Sequence, residues 1–120
     1  MRSVAAIETH LLTLPATTLS VQWGHDRVFK VGGKMFAVIG FSGRDAPSGL
    51  SFKASEDSFH LLTQLPGIRP APYLARAHWV FMDKASRLKP GELKAYLARA
   101  HAIVSAGLAK KVQRELGLIP

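Results

Sequence analysis

Apolar residues fall at Val4, Ile7, Leu11 and Leu14, steps of three and four that line one face of a helix. Ser3 stands before this run as an N-cap and Pro15 after it as a stop, so the pattern predicts a helix over 3–14. Beyond it the period changes to two. Leu19-Ser20-Val21-Gln22-Trp23 and Arg27-Val28-Phe29-Lys30-Val31 alternate as strands do, with a turn-like Gly24-His25-Asp26 step between them. Gly32-Gly33 then separates Val31 from the apolar run 34–41. A Gly-Gly link between two such runs predicts a tight hairpin, because primed turns need the positive φ that glycine adopts freely. The third strand is apolar nearly throughout, which predicts a central position covered on both faces.

The Gly-, Ser-, Asp- and Pro-rich stretch 42–49 reads as an exposed loop, and Leu50-Ser51-Phe52-Lys53 as a fourth strand with Leu50 and Phe52 inward. Ser55 followed by Glu56 and Asp57 predicts a helix start, with a capping hydroxyl and acids in the first turn. That helix is expected to reach about Leu65 and stop at Pro66-Gly67. The segment 68–77 carries Pro70 and Pro72 and reads as extended or irregular chain, after which 78–82 resumes as a strand. Pro90 opens a last helix whose stripe of Leu93, Leu97, Ala100, Val104, Leu108 and Val112 predicts about five turns. The order helix, four strands, helix, strand, helix (α-β-β-β-β-α-β-α) predicts one α+β domain over 1–120: a two-layer fold, an antiparallel sheet with helices on one face.

The composition fits a folded domain, with 48% hydrophobic and 20% charged residues. No apolar run is long enough for a spanning helix, and the N-terminal residues lack the apolar stretch of a secretory signal. The expectation is a cytoplasmic protein that does not engage a membrane. Cysteine is absent, which removes disulfides, thiolate metal sites and cysteine nucleophiles together. The net charge of +8 is uneven: residues 1–65 carry six basic and five acidic side chains, residues 66–120 ten and three. Such a field favours an anionic partner such as nucleic acid.

Catalytic patterns do not emerge. The five histidines, His10, His25, His60, His78 and His101, show no i, i+4 pair and no acidic cluster. Val31-Gly32-Gly33-Lys34 lacks the strand–loop–helix context of a phosphate loop, and no Gly-x-Ser-x-Gly elbow occurs. The sequence predicts no catalytic residue, metal site or cofactor. Binding has more support. Alternation puts Lys30 and Lys53 on the outer sheet face with Ser51, and Lys34 at the hairpin. Arg69 and Arg76 lie along the proline-rich segment, interleaved with Tyr73 and Trp79. Cations supply phosphate affinity, and aromatics stack on bases or pack in the core, the commoner role. Lys110, Lys111 and Arg114 either complement the last helix dipole or extend the positive surface.

Several of these stretches together resemble the MmcQ/YjbR family of bacterial DNA-binding proteins. They are the run from Trp23 through Ala37, Pro66-Gly67-Ile68-Arg69-Pro70 with Pro72-Tyr73-Leu74, His78-Trp79-Val80, and Leu108-Ala109-Lys110-Lys111-Val112. The family's closing motif has proline where this chain has Ala109. The resemblance implies a fold related to the frataxin/CyaY superfamily and DNA as partner; because the pattern offers no recognition helix with base-reading side chains, contact is expected mainly with the DNA backbone. Lys30, Lys34, Lys53, Arg69 and Arg76 would then meet phosphates, with Tyr73 and Trp79 as aromatic contacts. Iron binding does not carry over, because the first helix offers only Glu8 where a hard-cation site needs several carboxylates. The alternative from another class is a protein- or small-ligand-binding module that uses the sheet face around Trp79 and Tyr73.

Overall fold

The computed structural model describes residues 4–43, 47–72 and 74–120, so the expected Ser3 cap and Tyr73 lie outside the described residues. Helix α1 spans Val4–Thr13 and leads to strands β1 Thr17–Gln22, β2 Asp26–Val31, β3 Lys34–Phe41 and β4 Pro47–Lys53. Helix α2, Glu56–Leu62, precedes β5 Ile68–Pro70 and β6 Trp79–Met82, and α3 Pro90–Ala106 and α4 Lys110–Glu115 close the chain. The strands form one six-stranded sheet in the order β1-β2-β3-β4-β6-β5, with every neighbouring pair antiparallel.

The α+β architecture stands as the sequence predicts, with differences of detail, among them that α2 stops at Leu62 rather than near Leu65. Part of the proline-rich segment is a strand: Ile68–Pro70 adds at the sheet edge beside β6, where a proline's missing N–H breaks no central ladder. β4 begins at Pro47, inside the expected loop, where it extends the pairing along β3 to Phe41. The last helix is two helices. Gly107 ends α3, and the Gln113 side chain donates to Leu108 O at 2.6 Å, satisfying a carbonyl that a continuous helix would have used itself.

The core lies between the sheet and the helices. α3 packs on β2, β3 and β4, and α1 packs on β1 and α3. Leu93, Leu97 and Ala100 meet Phe29, Ala37, Ile39, Leu50 and Phe52 in one buried cluster, joined by Ile7 and Leu11 from α1 and Leu62 from α2. Pairing steps from Phe29↔Ala37 to Lys30↔Met35, which leaves Phe36 as an extra residue of β3. This bulge turns Phe36 and Ala37 inward together, and both are fully buried. β3 is central, as expected. Its outer side is open, however, with Met35 and Val38 only half-buried, because no described helix covers that face.

The hairpin forms where expected. Gly32 and Gly33 have φ of 59° and 79°, the doubly positive geometry of a primed turn. A Cβ on Gly32 would lie 2.6 Å from a Leu108 methyl, so the turn is pressed against the link between α3 and α4. Gly32→Ala should lower unfolding free energy by about 1–2 kcal/mol from the left-handed backbone alone, with a further loss from the displaced Leu108. Urea denaturation measures it. Ala109 has φ −58°, so Ala109→Pro should raise stability by about 0.4–1 kcal/mol in the same assay.

Candidate nucleic-acid interface

Alternation along each strand sorts the sheet residues between two faces. Arg27, Phe29 and Val31 point toward the helices, and the Arg27 guanidinium pairs with Glu8 of α1, donating from Nη2 to Oε1 at 2.8 Å. The one carboxylate that α1 offers is thereby engaged. The register then carries the opposite face across all six strands, from Ser20 through Val28, Val38, Ser51 and Phe81 to Arg69. Beside this row run Thr18, Lys30 and Met35, and Lys53 stands opposite Trp79.

Three of the expected cations therefore share the open face: Lys30, Lys53 and Arg69. Lys30 and Lys53 sit two strands apart, and Arg69 two strands further, so the set spans roughly 19 Å at the usual strand spacing. Among the described residues none of the three has a carboxylate partner. The Arg69 guanidinium lies over the Phe81 ring, 4.8 Å from its centroid, a cation–π contact that holds the head group on the sheet. Lys53 Nζ donates to Ala77 O. Partial burial holds its pKa below the ordinary lysine value, because desolvation penalises the charged form. Two acids flank these cations: Asp26 accepts from the Phe41 N–H at 2.9 Å, far along β2 from Lys30, and Asp83, which pairs with Arg87, lines a shallow pocket with Arg69 and Phe81.

The other expected contacts fall elsewhere. Lys34 pairs with Val31, so its register puts it on the helix side, exposed at the hairpin end. Arg76 is exposed on the short 3₁₀ turn Ala75–Ala77 that lies beside Trp79. Trp79 itself is only 4% exposed. Its N–H donates to Leu74 O and its carbonyl accepts from Ala71 N–H, so Ala71 and Leu74 lie back against the start of β6. Its ring has no face free for a base, which corrects the expected aromatic contact.

The exposed tryptophan is Trp23, at 66%, in the β1–β2 turn with φ +50°. The sequence pattern ran Trp23 into β1; the signal that distinguishes it is the glycine that follows, which marks a turn rather than a strand end. Most of the basic excess of residues 66–120 lies off the open face. Lys94 and Arg99 are on α3, Lys110, Lys111 and Arg114 on α4, and Arg87 is paired with Asp83 at 2.8 Å.

The family model described as YjbR matches residues 12–103, from the end of α1 well into α3. The chain belongs to the YjbR family. A crystal structure of the Deinococcus radiodurans protein DR2400, assigned a DUF419 domain, superposes on this YjbR chain with a TM-score of 0.84 at 25% identity. The match covers 100% of this chain and 91% of that one. None of the curated proteins matches this YjbR chain.

The two tryptophans give a direct check on this face. Trp23→Phe should remove the red-shifted, iodide-quenchable part of the emission, and Trp79→Phe the blue-shifted, protected part. Lysine Nζ titration followed by NMR should place Lys53 below the ordinary lysine value.

Proposed function

We propose that this YjbR-family chain is a non-catalytic, cytoplasmic DNA-binding protein that contacts phosphates through the open face of its sheet. The observation that carries the reading is the convergence of Lys30, Lys53 and Arg69 on one helix-free face without carboxylate partners among the described residues. A duplex presents one charge per ~1.7 Å of axis, so a ~19 Å span faces about eleven of them. Arg76, on the turn at the margin of the face, adds a fourth contact. Ser51 lies among the cations, and Thr18 and Ser20 lie beyond Lys30 on edge strand β1; their hydroxyls suit phosphate and sugar oxygens. No recognition helix lies on this side of the sheet among the described residues, so the binding proposed is backbone-directed rather than base-reading. Among the described residues no helix is long and apolar enough to cross a membrane.

Fluorescence anisotropy with labelled duplex and single-stranded DNA across a salt series tests this. Affinity should fall steeply with salt. Lys30→Ala/Lys53→Ala/Arg69→Ala should flatten the log–log slope by about 2–3, since each phosphate no longer neutralised on duplex takes roughly 0.9 from it. Lys94→Ala/Arg99→Ala, which removes charge from the helix layer, should leave the slope nearly unchanged. Affinity insensitive to salt, or equal loss in both variants, would exclude the sheet face as a DNA surface. The search would then turn to a protein or small-ligand partner for that face.

A further inference from the structure

We propose that strand β1 pairs antiparallel with β1 of a second copy of this chain, forming a two-fold dimer whose sheet runs through both copies. This goes beyond the DNA reading and does not depend on it.

The two edges of the sheet are unlike. β5 is guarded: it has three residues, one of them a proline and another an arginine, the devices that keep an edge from recruiting another strand. β1 is unguarded. Its six residues, Thr17–Gln22, contain no charge and no proline, and it pairs with β2 without a register shift. No described strand pairs with its outer side. In a chain of net charge +8 a neutral edge is what self-pairing requires, since a two-fold axis sets each side chain near its own copy and a lysine there would repel itself.

The side-chain pattern specifies the occupant further. Thr18-Leu19-Ser20-Val21-Gln22 reads polar, apolar, polar, apolar, polar, and is symmetric about Ser20. An antiparallel pair centred on Ser20 sets Leu19 against Val21 of the second copy on the helix side. It sets Thr18 against Gln22 on the open side. Any register shifted by an odd number of residues would cross the faces. The apolar surface around the edge fits the same partner. Val21 is 55% exposed, Trp23 lies just past the strand end, and Leu12 is 47% exposed on α1, the helix that packs on β1.

A stable interface needs about 1,200–2,000 Å², more than a ~20 Å strand edge supplies. A tryptophan ring brings roughly 150–250 Å² of its own, and in the Ser20-centred register Trp23 of each copy falls beside Thr17 of the other. The strained positive φ that holds Trp23 outward then has a role.

Sedimentation equilibrium over a wide concentration range tests the proposal on the whole chain. The wild type should show a concentration-dependent dimer, and Val21→Lys a monomer with unchanged far-UV circular dichroism. Leu61→Lys, on the exposed side of α2, should dimerise like the wild type. Hydrogen exchange on the wild type provides a readout free of any substitution: β1 amides should gain protection as concentration rises. A wild-type mass that stays monomeric throughout overturns the proposal. So does a dimer that survives Val21→Lys, and so does β1 exchange that is independent of concentration.

Discussion

The contact between α3 and the middle of the sheet is the constraint on which the rest of the molecule depends. Leu93, Leu97 and Ala100 lie against Phe29, Phe36 and Phe52 in a fully apolar seam, and no disulfide stands behind it. Burial at roughly 25 cal/mol per Å² is the dominant favourable contribution available to such a seam. It takes up the middle of one face of the sheet. The other face is thereby left without a helix among the described residues, and it carries the cations that alternate outward along β2, β4 and β5, with Lys30 and Lys53 partly buried and Arg69 exposed. The helix-free face and the apolar core are two results of the same alternation.

Buried polar groups secure the margins of that seam. His101, on the same helix, forms a hydrogen bond with Pro15 O at 2.7 Å and meets the Phe36 ring edge-on. It ties the turn after α1 to the third helix. Gln113 does the equivalent at the far end, holding the Leu108 carbonyl where α3 gives way to α4. Gln113 thereby satisfies a buried carbonyl that would otherwise lack a partner, which is worth more than the bond itself.

Much of this was legible in the chain, and the failures have physical causes. The Gly32-Gly33 hairpin could be read because a local conformational need, positive φ at both positions, selects the residue type. The sharing of one face by Lys30 and Lys53 could be read because strand period is strictly two. β5 could not: three residues ending in a proline have no periodicity, and what makes them a strand is the edge of β6. The break at Gly107 was hidden because Leu108 and Val112 continue the spacing of a helix while serving the core from a turn and a second helix. Trp79 alternates to the open side as the pattern requires, yet it is buried there, and strand period alone does not reveal burial on a helix-free face. Conversely Trp23 looked like the end of a strand and is the more exposed ring.

The strand order has a consequence for when the molecule becomes complete. β6 lies between β4 and β5 although it follows both in the chain. β5 has β6 as its sheet neighbour, so it cannot dock until residues 79–82 have added to β4. Of the cations on the open face, Lys30 and Lys53 belong to strands that hairpin locally, whereas Arg69 arrives last. By the same logic it is the first to leave. Opening of a three-residue edge strand is a small subglobal event, and it removes Arg69 from the surface while the central sheet stays folded. How far these three cations spread is thus set by the least cooperative strand in the fold.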